Sequence, residues 1–431
     1  MKRIIPGLAS ALALLCSIQA ANGQAPSALS PEEQKIVAYI DAHKNEAVAL
    51  LEKVINIESA TQNTAGVKHV GEVFQSEFAA LGLTARWIDM PAEMKRAGHL
   101  LAETTGTGRG KRILLLGHID TVFQGEQWRR EGNKAYGNGS SDMKGGDVVL
   151  LYALKALADV GALKNMRVIV MLTGDEEAAG RPVEQSRGDM VAAGKRSDLA
   201  LSFEGARGND ATVGRRGSSS WTLEVSGATG HSSQIFKERM GSGAILEAAR
   251  ILNQFYEQFH ADKNLTFNPS LIIGGTEATL NNSSGGAATG KTNVVPQKVI
   301  VRGDLRFSNE ETKAAARAKM RAIVATNLPR TSAKITFEDG IPAMFPSEGN
   351  YALLKQLSQV SQDLGFGPVG TVDPADRGAG DIAYVSHLIS GLDGLGADGA
   401  GAHAPGESVE LESMPMLTKR AAILIYRLSR Q

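Results

Sequence analysis

The sequence predicts an α/β protein: a mostly parallel central sheet, with an α+β unit of β-α-β-β-α-β order inserted between about residues 215 and 335. Apolar runs at 113–116, 166–173 and 198–203 have the length and continuity of strands buried on both faces. Residues 147–160 between the first two runs read as helix, the crossover that parallel neighbours require. From Ser219 the pattern changes: residues 219–225 alternate like a half-buried antiparallel strand, so a different unit begins there.

The remaining elements follow in order. Residues 31–57 read as helix, started by Ser30-Pro31-Glu32-Glu33. Val67, Val70, Phe74, Phe78 and Leu81 recur at helical spacing and form a packing stripe. Within the insertion a helix is expected at about 243–258, two strands flanking Pro296, a helix at 310–327 and a strand at 334–337. The chain divides into 1–25, a first catalytic segment 26–214, the insertion 215–335 and a second catalytic segment 336–431.

Residues 1–25 read as a secretory signal peptide. Lys2-Arg3 precede an apolar stretch at 4–18, too short to span a bilayer, and small residues Ala20-Ala21 follow. The expected product is exported, periplasmic or secreted. Cys16, the single cysteine, falls in this segment, so the processed chain would have no disulfide and no thiolate ligand. A length of 431 residues with 42% hydrophobic content suffices for two cores. Zero formal net charge gives no bulk attraction to nucleic acid or a charged membrane.

Residues able to hold a metal lie in one ordered series: His118, Asp120, Asp142, Glu176-Glu177, Glu204 and His403. Imidazole and carboxylate donors without a nearby thiol suit zinc or a similar divalent ion. Each piece alone is weak: His118-Ile119-Asp120 suits a turn, Asp142 sits in a glycine-rich loop, and tandem acids are usually solvated. Position gives them weight. His118, Glu176-Glu177 and Glu204 directly follow the three apolar runs, where the crevice of an open α/β sheet forms. Asp120, two residues on, can face the His118 ring and accept its second N–H. Of two neighbouring glutamates, one can ligate while the other takes a proton from water.

Two nucleotide-binding patterns match by letter and are set aside. Gly285 to Thr292 fits a phosphate loop but has no strand before it or helix after it. Gly394 to Gly399 fits a dinucleotide fingerprint but runs into further glycines and Pro405. There is neither a Gly-x-Ser-x-Gly elbow nor a His-Glu-x-x-His helix.

Seven segments, in order, resemble the co-catalytic di-zinc metallopeptidases that include glutamate carboxypeptidase, aminoacylase and succinyl-diaminopimelate desuccinylase. They are Gly117-His118-Ile119-Asp120-Thr121-Val122, Gly139-Ser140-Ser141-Asp142-Met143-Lys144-Gly145-Gly146, Thr173-Gly174-Asp175-Glu176-Glu177, Ser202-Phe203-Glu204-Gly205, Gly230-His231-Ser232-Ser233, Asn293-Val294-Val295-Pro296 and Asp304-Leu305-Arg306. The nearest likeness is to the glutamate carboxypeptidase (carboxypeptidase G) group. The resemblance implies a phosphorylase/hydrolase-like catalytic domain, a lid that also dimerises, and two zinc ions per chain, replaceable by cobalt or manganese. It implies that Asp142 bridges the metals, with His118 and Glu204 on one side and Glu177 and His403 on the other. Asp120 would orient His118 and Glu176 would be the general base. His231 would reach the reacting carbonyl from a partner subunit's lid, and Asn293, Arg306, Gly378 and Gly380 would hold the substrate. The implied reaction is hydrolysis of an amide beside a free carboxylate; dipeptidase or aminopeptidase action, or an inactive metal-binding relative, are the alternatives. His403 lies in an unusually glycine- and alanine-rich loop, and His387, in a segment patterned as helix, is its nearby rival.

Overall fold

A computed structural model of the chain describes residues 29–281 and 285–431. The expected signal segment and Cys16 lie outside these residues. Among the described residues no helix is long and apolar enough to cross a membrane.

The main sheet has six strands in the order Thr84–Asp89, Gly98–Glu103, Arg167–Thr173, Arg112–His118, Leu199–Ser202 and Ser390–Leu392. The last four run parallel, and the first two add an antiparallel edge. Both faces are covered, and the strand side chains show it. Ile113 and Leu115 join one buried cluster with helices Pro31–Ile55, Lys144–Asp159 and Ser413–Leu428. Leu114 and Leu116 join a second cluster with Met190, Ile382 and Val385 on the opposite face. That two-residue alternation, with every position apolar, is why the run looked continuous in sequence. Each such fully buried side chain contributes about 1.5–3 kcal/mol.

Connectivity places the site. Strand Arg112–His118 leads through helix Lys144–Asp159 to its neighbour on one side, Arg167–Thr173. Helix Gly188–Lys195 then carries the chain to its neighbour on the other side, Leu199–Ser202. The reversal opens a crevice at the C-terminal ends of these strands. Gly117 is needed there because a Cβ would stand 2.1 Å from Asp147 Oδ1.

A second, wholly antiparallel sheet orders Leu265–Gly275, Lys298–Phe307, Gly217–Gly227 and Thr331–Asp339. Helices Gly243–Phe259 and Glu310–Ala325 pack on it around Trp221, Phe255, Phe307 and Met320. Its order is the β-α-β-β-α-β read from sequence, with one addition. A hairpin of Glu277–Leu280 and Gly286–Thr289 lies between its second and third strands, and the phosphate-loop-like letters fall on that hairpin and the turn after it.

Candidate metal centre

Three strand ends and two loops build the site. His118 is the last residue of its strand, Glu176 and Glu177 follow strand Arg167–Thr173, and Glu204 follows Leu199–Ser202. Asp142 comes from the loop after Lys134–Tyr136, and His403 from the loop before Ser408–Glu410. These two short strands pair antiparallel, which brings the loops together.

Asp142 sits at the centre. Its Oδ1 is 3.1 Å from His118 Nε2 and its Oδ2 is 3.2 Å from His403 Nε2. Glu204 Oε1 lies 3.7 Å from His118 Nε2, and Glu177 Oε2 lies 3.0 Å from His403 Nε2. One carboxylate therefore turns an oxygen to each of two histidines, each flanked by a second carboxylate. His118, Asp142 and Glu204 form one group of candidate ligands, and Asp142, Glu177 and His403 form another. Glu176 also falls within ligand reach of His118 and Glu177. Its surroundings differ from those of Glu177, because Glu176 lines the open cavity whereas Glu177 is turned towards His403.

Asp120 supports the site in another way than its spacing suggested. His118 Nδ1 points to the backbone carbonyl of Asp120 at 3.0 Å, while the Asp120 carboxylate is farther, at 3.5 Å. A carbonyl only accepts, so Nδ1 carries a proton and Nε2 is left to face Asp142. The carboxylate itself accepts from the backbone N–H of Glu176 at 3.0 Å and of Glu177 at 3.2 Å, and from Thr61 Oγ1 at 2.6 Å. Asp120 thus fixes both the ring and the tandem glutamates.

The cluster is short of positive charge. Burial, then repulsion from neighbouring carboxylates, raises the Glu176 carboxyl well above its ordinary range, against the pull of His118. Burial likewise raises Glu177, and pushes Glu204 up to about 7 despite Arg215. Burial opposes charging of His118, yet its bonds to Asp120 and Asp142 and the charges of Glu204 and Glu176 carry it well above the usual imidazole value. Bonds to Asp142 and Glu177 push His403 up to about 11. Only Asp142 is held low: burial disfavours its charge, but both imidazoles offset that. Imidazole nitrogens and carboxylate oxygens converging on a centre that lacks positive charge fit divalent cations well.

Sequence reading missed several groups that hold this arrangement. Glu407 accepts from the backbone N–H groups of Gly139, Ser141 and Asp142, each at 2.8 Å. Buried Arg215 donates to Asp393 and to the carbonyls of Gly378 and Ala379 at 3.1 and 3.0 Å, with Nη2 3.5 Å from Glu204. Arg187 joins Asp175, beside Glu176, to Asp381 at 2.5 and 2.8 Å. Lys144 Nζ, fully buried, donates to the carbonyls of Val54 and Ile57. The nearest sequence cue was that Glu407 follows His403 by four residues and that Arg215 opens an arginine pair ahead of a strand.

Other expected positions lie elsewhere. His231 is exposed beside the antiparallel sheet, its Nδ1 2.9 Å from Ser233 Oγ, and pairs through its backbone with Val294. Asn293 is exposed next to it, and Arg306 is bound to Asp304 at 2.8 Å on that sheet. None of the three lines the metal-side cavity. Gly378 does line it, while Gly380 is packed behind it, where a Cβ would stand 3.0 Å from the Arg215 guanidinium. His387 corrects the sequence reading. The helical pattern there is a short 3-10 turn at Asp381–Tyr384, and His387 beyond it is exposed and belongs to none of the candidate ligand groups among the described residues.

Against known proteins, the profile of Peptidase family M20/M25/M40 matches residues 114–427, most of the chain and every one of these ligand candidates. The chain belongs to this family. Among curated M20 relatives it is 28% identical to carboxypeptidase G2 of Pseudomonas sp. (strain RS-16), over 88% of each chain. It is also 28% identical to succinyl-diaminopimelate desuccinylase of Leptothrix cholodnii, over 64% of this chain and 72% of the relative. Solved structures share the fold. Aminopeptidase PepT from Bacillus cereus superposes with a TM-score of 0.70 at 16% identity, over 89% of this chain and 98% of that one. Human carnosine dipeptidase 1 superposes at 0.65 and 15% identity, over 94% and 100%. As an M20 member the chain is a metallopeptidase-type hydrolase of amide C–N bonds.

Proposed function

We propose that this protein is a two-zinc carboxypeptidase or N-acyl-amino-acid amidohydrolase, cleaving an amide beside a free carboxylate. The observation that carries the reading is Asp142 turning one oxygen to His118 and the other to His403, with Glu204 and Glu177 beside the respective rings. His118, Asp142 and Glu204 would hold one ion, and Asp142, Glu177 and His403 the other. Zinc suits these donors, and cobalt or manganese would substitute. When bound, such ions polarise a carbonyl and make water more acidic.

The chain's own groups supply the rest. Glu176 stands on the cavity wall with a raised proton affinity. It takes the proton of the attacking water and passes it to the departing amine nitrogen. Asp120 holds the Glu176 backbone while this happens. His231, Asn293 and Arg306 would contribute only after the antiparallel unit closes or a second subunit supplies its own, and we assign them the substrate and the developing oxyanion on that basis. We further propose that the working form is a homodimer joined through this unit, whose helix Gly243–Phe259 exposes Ile245, Leu246 and Tyr256. Removal of residues 1–25 after export completes the proposed maturation.

Purified protein should contain close to two zinc equivalents per chain and lose activity with a chelator. N-acyl amino acids should be hydrolysed without a free amine in the substrate. An active preparation with no divalent metal would refute the mechanism, and a requirement for an unblocked N-terminus would make it an aminopeptidase or dipeptidase instead.

A further inference from the structure

A small cavity of about 20 Å³ lies behind the loop that follows Glu204, and Gly208 lines both it and the metal-side cavity. Leu357, Leu395 and Leu417 make its wall largely apolar. Among the described residues Arg420 is the one cation on that wall and Asp210 the one acid. Arg420 comes from the middle of helix Ser413–Leu428 and is only 4% exposed. Its Nη2 donates to Asn209 Oδ1, between the two loop residues that line the cavity, so the guanidinium stands at that end of it. The Phe366 ring packs against it, 5.7 Å from Cζ to the ring centre. Nε is buried without a hydrogen-bond partner, and among the described residues no carboxylate, Asp210 included, comes within ion-pairing distance. The other two arginines buried this deeply are matched, Arg187 by Asp175 and Asp381 and Arg215 by Asp393 and Glu204. Burial, with no carboxylate to offset it, pushes Arg420 down to about 10, so at neutral pH it is still a cation.

A buried charge without a counter-charge is unfavourable until something neutralises it. The cavity decides what can. Its volume takes one water molecule or one monatomic ion, so a carboxylate, sulfate or phosphate has no room. A water would satisfy Nε but leave the charge uncompensated. Backbone donors of the wall are already engaged: the Gly208 N–H with Asp398 at 3.3 Å, the Gly394 N–H with Asp393 at 2.6 Å and the Val369 N–H with Ser358 Oγ at 3.0 Å. An occupant therefore meets the guanidinium on one side and apolar groups on the others. That setting suits a large, weakly hydrated anion, which gives up little solvation on entering.

We propose that this cavity is a halide site, in which chloride neutralises Arg420 and pins the loop after Glu204 to helix Ser413–Leu428. The site stands independently of the chemistry at the metal-side cavity.

Bromide gives the direct test. Crystals of the purified protein soaked in sodium bromide should show an anomalous bromine peak beside the Arg420 guanidinium. In solution, replacing sodium gluconate by sodium chloride at fixed ionic strength should raise the unfolding midpoint by about 1–3 °C, by mass action on a site of millimolar affinity. Amide exchange of residues 205–211 should slow about twofold or more in chloride, whereas a general salt effect would single out no segment. Arg420→Met keeps the apolar stem without the charge, and both chloride effects should vanish in it. Asp210→Asn should keep them. No bromine peak at the cavity, or equal chloride effects in wild type and Arg420→Met, would overturn the site. A bromine peak with no chloride effect in solution would mark an adventitious ion only and overturn it as well. So would chloride effects that arise only in Asp210→Asn, because Asp210 would then be the counter-charge. If Arg420→Met fails to fold, the bromine peak and the exchange pattern of wild type decide together.

Discussion

Replacing Glu407 by glutamine removes one charge and one acceptor from beneath the loop that presents Asp142. In the native site Oε2 accepts the Gly139 N–H at 2.8 Å. Oε1 accepts the N–H groups of Ser141 and Asp142 at 2.8 Å and the Ser141 hydroxyl at 3.1 Å. A glutamine amide keeps one oxygen. Set in the place of Oε1, it leaves the Gly139 N–H facing an NH2 group, and an unpaired buried donor costs about 1–3 kcal/mol. The three remaining bonds lose their charge assistance, roughly half of each, for about 1–2 kcal/mol more. The expected destabilisation of the metal-free protein is therefore about 2–5 kcal/mol, measured by urea unfolding. The loop that carries Asp142 loosens as well, so zinc affinity should fall about 10- to 100-fold, as for other groups that orient ligands. Competition with a chromophoric chelator measures it. Zinc affinity within twofold of wild type, with a stability change under about 0.5 kcal/mol, would show that the loop keeps its shape without this carboxylate.

Glu176→Gln should retain two metal equivalents and lose most of the turnover rate, whereas Glu177→Gln should lower metal content; elemental analysis beside kinetics separates them. Arg187→Met strands Asp175 and Asp381 without their cation and should destabilise by about 3–5 kcal/mol, while also removing Asp381→Asn and Asp175→Asn charges in a triple variant should recover much of that loss in urea unfolding. His99, buried between the Ser186 carbonyl and the Gly174 N–H, has its proton affinity lowered by burial first, then by Arg187, against Asp175. Its folded value lies below the unfolded one, so the unfolded chain gains the proton first as pH falls. Stability should decline as pH drops below about 6.5, by at most about 1.4 kcal/mol per pH unit from this group, and His99→Gln should flatten that slope in unfolding titrations at pH 7.5 and 5.5.

Much of the architecture was legible because strand burial leaves a plain mark. Ile113 to Leu116 must face apolar layers on both sides, so no position could be polar, and the residue at which that constraint ends is His118. The same logic placed Glu176-Glu177 and Glu204. Asp142 and His403 lie in glycine-rich loops whose pairing depends on three residues of sheet, Ser408–Glu410 against Lys134–Tyr136, and no local pattern reveals that partnership. Glu407 and Arg215 were missed for a related reason. A charged residue in a loop reads as solvated until folding supplies buried partners, which for Glu407 are backbone N–H groups 265 to 268 residues away. The helical spacing around His387 misled because a single 3-10 turn leaves the same trace in sequence as the start of a longer helix.

The two histidines that face Asp142 differ most in their access to water. The His118 side chain is 1% exposed, whereas that of His403 is 59% exposed, in a loop where its own φ is 61°. A competing chelator must approach a donor atom to displace it, and only one of these rings can be approached without opening the fold. Ion exchange in this protein should therefore run on two clocks. The position beside His403 would trade its occupant with solvent directly, while the one beside His118 is reached only from the cavity side, past Asp142 and Glu204, and exchanges more slowly. Brief dialysis would yield a half-loaded chain with its buried ion in place, and a second metal of a different kind could then be seated opposite the first.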